Sequence, residues 1–325
     1  MSVNTSLLPG RLLRRPGPPK TVETFPGVQV DDPRLSKVLW ADAELLCLYE
    51  GTLHAEGPIW DPARELLFWS DVPNRRLLEL HADGRVETAL DGTYFLNGNA
   101  LDAQGRLVHC EHGRRCISRS DIPGQQPEPI ITHYQGRRLN SPNDVTVAAD
   151  GAIWFTDPTF GILMPNQGSL ADPELDHRSV YRFDQRDGSL RRMADFEQPN
   201  GVFFAPDGRT LYVSDTALSL GEIPDAGTGR THEIIAFDVA ESGTLSNRRL
   251  FCHTDHGYPD GFAVDRRGWI WTSAGDGVHI WSSERERLGF IPVPQTVSNC
   301  CFGGKHGSRL FMAATKLLLA IDLVG

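Results

Sequence analysis

The sequence predicts an all-β fold, a six-bladed β-propeller, from three observations: a repeated string, its period, and the turn chemistry between repeats. Six short strings recur, and each opens with a residue that can offer an oxygen ligand: EGPIW from Glu56, NGNAL from Asn97, NDVTV from Asn143, NGVFF from Asn200, DGFAV from Asp260 and NCCFG from Asn299. Their opening residues lie 41, 46, 57, 60 and 39 positions apart. β-rich repeats with such a period are typical of propellers, in which each repeat forms one blade.

Each blade is predicted to be a four-stranded antiparallel meander. In the first repeat, the strand-like segments GPIWD, LLFWSDV, NRRLLEL and RVETAL are separated by turn residues such as Asp-Pro and Asp-Gly. The same layout returns in AADGAIWFTD, APDGRTLYVSD and DRRGWIWTSAG. No helix-period stripe of useful length interrupts the repeats, so the prediction is all-β.

The ends of the chain are predicted to close the ring together. The last repeat supplies three strands, CCFGG, RLFMAAT and KLLLAIDLVG, and the segment ELLCLYEG before Glu56 belongs to no other blade. That segment would complete the sixth blade as its outer strand and leave no open edge. We therefore expect a propeller over residues 38–325, preceded by a flexible arm containing Pro and Arg over residues 1–37.

Composition narrows the function classes. The chain has 325 residues and a net charge of −10, the opposite of the basic face that nucleic acid requires. No apolar run reaches the roughly 20 residues of a membrane span, and the N-terminus lacks the apolar core of a secretory signal. The six cysteines show no CxxC spacing and are expected to be reduced. We expect a cytoplasmic protein that binds neither nucleic acid nor membrane; its oligomeric state is not predicted.

The opening residues of the six strings should meet around the central axis as a cation site. Glu56 and Asp260 would supply two negative charges, and Asn143 and Asn200 would supply neutral oxygens. Oxygen donors without Cys or His indicate a hard divalent cation, Ca²⁺ first, with Mg²⁺, Mn²⁺ or Zn²⁺ as alternatives. The competing interpretation is that Asn-Gly and Asp-Gly are ordinary turn dipeptides. Six occurrences in register, one with Glu, disfavour it.

Hairpin geometry predicts more residues on the same face, because the second strand of each blade runs back toward the ring. The positions 14 or 15 after each opening residue are Asp71, Glu111 or His112, Asp157, Asp215, Ala274 and Ala314. For Asp71 and Asp215, capping of strand ends is the simpler explanation. Two long loops on this face, residues 158–179 and 216–232, contain apolar residues and are predicted to be lids. Isolated histidines such as His54 and His109 are assigned to the surface or the core.

Together, AEGPIW, CEHGRR, SPNDV with IWFTDP, QPNGVFFAPDGRTLYVSD and GYPDGFAVD make the chain resemble the SMP-30/gluconolactonase/LRE-like family from about Leu45 to the end. This family of six-bladed propellers includes regucalcin and bacterial gluconolactonases. The resemblance implies that Glu56, Asn200 and Asp260 hold the metal, that Asn143 contacts metal or substrate, and that Asp260 is the catalytic base. Ser141 stands where animal members carry Arg, so the bacterial type is the better match.

The resulting hypothesis is a metal-dependent lactonase that opens a sugar lactone, such as glucono-1,5-lactone, to the acid. The cation would polarise the lactone carbonyl, and Asp260 would accept a proton from the attacking water. Candidates for binding the sugar hydroxyls are Asn97, His112, Arg115, Asp157 and Asn299. Two alternatives stay open: hydrolysis of organophosphate esters at the same site, and a noncatalytic propeller that binds calcium or a partner protein.

Overall fold

The computed structural model describes residues 19–40, 42–217 and 232–324. Its first elements are three strands and a 3₁₀ turn: β1 (Lys20–Thr21), β2 (Gln29–Val30), the turn Leu35–Lys37, and β3 (Leu45–Glu50). The remaining strands build six antiparallel sheets around one axis, with one additional short hairpin. This is the predicted six-bladed propeller.

Blades 1 to 4 are each made of four strands that are consecutive along the chain. Blade 1 contains β4 (Ala55–Asp61), β5 (Leu66–Asp71), β6 (Arg76–Leu80) and β7 (Val86–Asp91). Blade 2 contains β8 (Leu96–Leu101), β9 (Leu107–Glu111), β10 (Cys116–Ser120) and β11 (Glu128–Ile131), and the hairpin β12 (His133–Tyr134) and β13 (Arg137–Arg138) follows it. Blade 3 contains β14 (Val145–Val147), β15 (Ile153–Asp157), β16 (Arg178–Asp184) and β17 (Ser189–Phe196), with the helix α1 (Phe160–Leu163) between its second and third strands. Blade 4 contains β18 (Pro199–Phe204), β19 (Thr210–Asp215), β20 (Glu233–Val239) and β21 (Leu245–His253).

Blades 5 and 6 also use the N-terminal strands. Blade 5 contains β22 (Phe262–Val264), β23 (Ile270–Ala274), β24 (Gly277–Trp281) and β25 (Arg287–Pro292), and β2 pairs with β25 at its outer edge. Blade 6 contains β26 (Asn299–Gly303), the 3₁₀ turn Lys305–Gly307, β27 (Arg309–Ala314) and β28 (Leu317–Asp322). Strand β3 pairs with β28 as the predicted outer strand, and β1 pairs in turn with β3. The predicted closure by an N-terminal strand is therefore confirmed.

Residues 19–37, which the sequence assigned to a flexible arm, are packed onto the propeller. Besides the pairing of β1 and β2, Leu35 is fully buried in the same apolar cluster as Trp271 of blade 5 and Met312 of blade 6. The packed structure thus begins before the expected boundary at residue 38, and residues 1–18 lie outside the described part of the chain.

The first strand of each blade lines the central axis. These six strands, β4, β8, β14, β18, β22 and β26, contact one another in a closed cycle. Apolar clusters fill the spaces between neighbouring blades, as where Trp154 of blade 3 packs with Val213 of blade 4. Among the described residues there is no helix that is long and apolar enough to cross a membrane.

Candidate functional site

The six ring strings start at the same end of the six innermost strands. Glu56, Asn97, Asn200 and Asn299 lie at the first or second residue of their strands, and Asn143 and Asp260 lie two residues before β14 and β22. Because these strands run parallel around the axis and contact one another, their starts share one face of the propeller. The ring predicted from the strings is therefore present.

A hydrogen bond at the ring joins each blade to the next, and buried hydroxyls supply this bond at four of the six boundaries, or seams, between blades. These hydroxyls donate to a main-chain oxygen of the next blade: Ser70 to Asn97 (2.8 Å), Thr156 to Asn200 (2.6 Å), Ser214 to Asp260 (2.6 Å) and Ser298 to Ala55 (2.6 Å). Main-chain amides close the other two seams, Gly98 to the oxygen of Asn143 (2.8 Å) and Gly261 to the oxygen of Ser298 (2.7 Å). The ring backbone is thus held in place at all six seams.

Close approach between blades explains the glycine in four of the strings. A Cβ atom at Gly57 would lie 2.2 Å from the main-chain oxygen of Asn97, and one at Gly261 would lie 2.1 Å from the Asn299 side chain. Gly98 and Gly201 are crowded in the same way. The glycine therefore lets neighbouring innermost strands meet at the axis.

Three carboxylates influence one another at the centre of the ring. Burial, followed by the charges of Glu56 and Asp144, raises the pKa of Asp260 well above its usual range, while a hydrogen bond from the Asn200 side chain lowers it. Burial and the charge of Glu56 likewise raise the pKa of Asp144 to about 7. Glu56 is buried, whereas Asp144 and Asp260 are partly exposed. Such mutual repulsion is costly unless a cation neutralises it.

The donor set at this centre suits a hard divalent cation. It offers the carboxylates of Glu56, Asp144 and Asp260 and the side-chain amide of Asn200, with Asn143 buried next to Asp144. Calcium and magnesium prefer these oxygen ligands. The residues predicted to hold a metal therefore fit one by charge and chemistry.

Among the described residues, the group of three acidic or histidine side chains whose ligand atoms all lie close together is on the outer strands of blade 1 and not at the ring. Ligand atoms of Glu79, His81 and Glu87 all lie within 4.8 Å of one another. There, however, Arg85 already pairs with Glu87, and its guanidinium lies 3.3 Å from Nδ1 of His81. The group is a solvated ion-pair network remote from the ring.

The aspartates at the ends of the second strands bind main-chain amides. Asp71 accepts from the amide of Leu53 (2.9 Å), and Asp215 accepts from the amide of Gln198 (2.9 Å). Asp157 does the same for the amide of Asn140 (2.8 Å). Each carboxylate thus fixes the chain two or three residues before a ring residue. All three aspartates therefore cap strand ends, which was the simpler explanation for Asp71 and Asp215.

Arg115 and Asp157, both candidates for binding substrate, are instead engaged with the protein interior. Arg115 is 5% exposed, and its Nε donates to the main-chain oxygens of Leu139 (2.7 Å) and Asn140 (3.0 Å). Asp157 is fully buried, and burial raises its pKa to about 7. Through these contacts both side chains support the segment that leads to Asn143, while Nη2 of Arg115 and Oδ1 of Asp157 have no hydrogen-bond partner. Direct binding of substrate by the two residues stays a prediction.

The other three candidates for substrate binding also lie below the surface. His112 is fully buried, with Nδ1 at 3.0 Å from the main-chain oxygen of Gln167, and burial lowers its pKa to about 4. Asn299 is 7% exposed, and its Oδ1 accepts from the amide of Cys300. Asn97 is 2% exposed and meets Gly57 at the axis. The two asparagines belong to the ring, whereas His112 contacts the long loop after β15.

Sequence reasoning missed two residues of the site. Asp144 occupies the second position of its string, where four of the other strings have glycine, and that departure was the available signal. His54 was assigned to the surface or the core, but its Nε2 lies 3.6 Å from Oε1 of Glu56. Of the two predicted lids, residues 218–231 of the second lie outside the described residues.

Comparisons with known proteins agree with this geometry. Residues 54–316 match the profile of the SMP-30/gluconolactonase/LRE-like region. A gluconolactonase from Zymomonas mobilis is 28% identical over 313 residues, 89% of this chain and 84% of its own length. The solved structure of a gluconolactonase from Xanthomonas campestris is 47% identical with a TM-score of 0.88, covering 96% of this chain and 99% of that one. Regucalcin from Agrobacterium tumefaciens shares the fold. It is 20% identical with a TM-score of 0.68, covering 86% of this chain and 94% of that one.

Proposed function

Because this chain belongs to the SMP-30/gluconolactonase/LRE-like family, we infer that it is a lactonase and propose that it opens a sugar lactone to the corresponding aldonic acid. The observation that carries the proposal is the cluster of Glu56, Asp144 and Asp260 with Asn200 at the axis. The two gluconolactonases that resemble the chain over most of its length support the same reaction class.

In this proposal Glu56, Asn200 and Asp260 hold a divalent cation, and Asn143 contacts the cation or the substrate. Ca²⁺ is the first candidate, with Mg²⁺, Mn²⁺ and Zn²⁺ as alternatives. When bound, such a cation polarises a carbonyl oxygen and lowers the pKa of a bound water. Asp144, beside Glu56 and Asp260, would add to the negative charge that attracts the cation.

Asp260 is the proposed proton acceptor. Its carboxylate lies in the centre of the ring and is partly exposed, so that it can reach a bound water. Water attacks the lactone carbonyl carbon while Asp260 takes its proton. The ring C–O bond then breaks, and Asp260 returns the proton to the departing ring oxygen, which leaves a carboxylic acid and a free hydroxyl. The hydrogen bond from Asn200 orients the carboxylate for this transfer.

The decisive experiment is lactone ring-opening followed with a pH indicator, before and after treatment with a chelator. Wild-type protein should turn over an aldonolactone, lose activity with the chelator and regain it with one of the four cations. Glu56→Gln and Asp260→Asn should abolish turnover and retain the wild-type circular dichroism spectrum. Glu79→Gln, in the outer ion-pair network, is the matched control and should keep full activity.

Two results would favour the alternatives. Absence of turnover for every aldonolactone after addition of each cation would overturn the lactonase proposal and leave a noncatalytic cation-binding propeller. Turnover of an organophosphate ester in preference to lactones, lost in Asp260→Asn, would assign the same site to phosphoester hydrolysis.

A further inference from the structure

Residues 158–177, between β15 and β16, are fastened to the propeller at several points; we call them the wall segment. Within it, α1 and the following turn form a small apolar cluster in which Leu163 and Met164 pack against Phe160. The two ends of the wall segment meet Asn140 and Ser141, which lie three and two residues before the ring string of blade 3. The wall segment therefore lies directly beside the ring.

Ser141 fastens the beginning of the wall segment. Its hydroxyl donates to the main-chain oxygen of Pro158 (2.7 Å) and accepts from the amide of Gly161 (3.0 Å), and Ser141 is fully buried. The neighbouring Asn140 fastens the far end, because its Nδ2 donates to the main-chain oxygen of His177 (3.0 Å). Two consecutive side chains thus hold both ends.

His112 fastens the middle of the wall segment. A carbonyl oxygen can only accept, so the contact between Nδ1 of His112 and the oxygen of Gln167 places the hydrogen on Nδ1. The His112 side chain also packs against α1, since a Cβ atom at Gly161 would lie 2.5 Å from Cβ and 2.6 Å from the ring atom Cγ of His112. Gly161 therefore permits a fit that any larger residue would break.

The fastening points are coupled to the ring. Ser141 lies two residues before Asn143, whose amide donates to the main-chain oxygen of Thr156 (3.0 Å). Arg115 holds the carbonyls of Leu139 and Asn140 from the other side. A shift of the wall segment would therefore move the segment that positions Asn143.

We propose that Ser141 and His112 are positioning residues that keep the wall segment closed beside the ring throughout turnover, so that it forms a fixed side of the lactone-binding site. This inference rests on the proposed lactonase function. In this arrangement the wall segment contributes to substrate binding, and the bond-breaking step is left to the ring residues.

Ser141→Ala tests the first contact, with Ser169→Ala as the matched control, because Ser169 is exposed in the same segment. In Ser141→Ala, KM for the aldonolactone should rise about tenfold with kcat close to wild type, since a buried hydroxyl with two main-chain partners is lost. Hydrogen exchange at the amide of Gly161 should accelerate by about tenfold or more. Ser169→Ala should match wild type in both measurements.

His112→Asn and His112→Leu test the second contact. The Asn amide nitrogen reaches the position of Nδ1 and can donate to Gln167, so His112→Asn should keep a KM near that of wild type. His112→Leu has no donor and should behave like Ser141→Ala. Equal KM values for the two variants would overturn the role assigned to Nδ1.

The outcomes separate the claims. Unchanged exchange at Gly161 in Ser141→Ala would overturn the fastening of the wall segment. Faster exchange with unchanged KM, or with a fall in kcat alone, would overturn its part in substrate binding. Absence of lactone turnover by wild-type protein would overturn the proposed function, and the exchange measurement would still decide whether the wall segment is fastened.

Discussion

Replacing Ser214 by alanine removes a single hydroxyl group, but it should markedly weaken the seam between blades 4 and 5. The Ser214 hydroxyl accepts from the amide of Gly201 (2.7 Å) and donates to the main-chain oxygen of Asp260 (2.6 Å). Ser214 is fully buried, so neither partner can turn to bulk water once the hydroxyl is removed. The variant leaves one donor and one acceptor unpaired.

A buried main-chain group left without a partner costs about 1–3 kcal/mol. Two such groups predict that Ser214→Ala lowers the free energy of unfolding by about 2–6 kcal/mol. The freed oxygen belongs to Asp260, so lactone turnover should also fall. Ser246→Ala, at an exposed position of β21, makes the same chemical change without a buried partner and should be neutral.

Urea unfolding followed by tryptophan fluorescence measures the effect as a shift in midpoint at constant slope. If the free energies of unfolding of Ser214→Ala and Ser246→Ala differ by less than about 0.5 kcal/mol, the reasoning is refuted. Such a result would show that solvent or local relaxation can replace the inter-blade hydroxyl. A changed slope would instead show that the variant alters the extent of unfolding.

Three further predictions concern the ring and its supports. Asp71→Asn should lower the free energy of unfolding by about 1–3 kcal/mol in urea titrations, because Asp71 pairs with Arg76 while fully buried, yet kcat/KM should stay near wild type. Burial lowers the pKa of His109 to about 3, below its value in the unfolded chain, so its contribution to stability is present above pH 6.5 and is lost as the pH falls toward 3. Between pH 7 and pH 5, the free energy of unfolding of wild type should fall by about 2 kcal/mol more than that of His109→Gln in urea titrations, and equal losses would contradict this. A divalent cation at about 100 times its Kd should stabilise wild type by about 2.7 kcal/mol in thermal unfolding; Glu56→Gln should lose this gain and Glu79→Gln should keep it.

The blade architecture was predictable because its signals are local and repeated. Turn residues bound each strand, and the ring strings recur at the start of each innermost strand. The N-terminal segment was not predictable in the same way. Strands β1 and β2 have two residues each, too short to show alternation, and they form because β3 and β25 offer free edges.

The centre of the site was predictable for a related reason. Glu56, Asn200 and Asp260 could be assigned to the ring because their strings are in register, and the family resemblance singled them out among the six. In the structure Asp260 lies beside both of the others. Spacing alone predicts position along a strand and carries no information about which partner a side chain meets. Asp157 was therefore predicted on the right face, but its carboxylate binds the amide of Asn140.

The closure of the ring has a consequence for the order in which the chain is synthesised. Strands β1, β2 and β3 leave the ribosome before any blade, yet β2 pairs with β25, and β3 pairs with β28 near the other end of the chain. Until residues 287–322 emerge, these strand edges stay without their partners. Blades 1 to 4 contain only consecutive strands and can form as the chain grows. The nascent protein must therefore keep an unpaired N-terminal edge from aggregating for most of its synthesis.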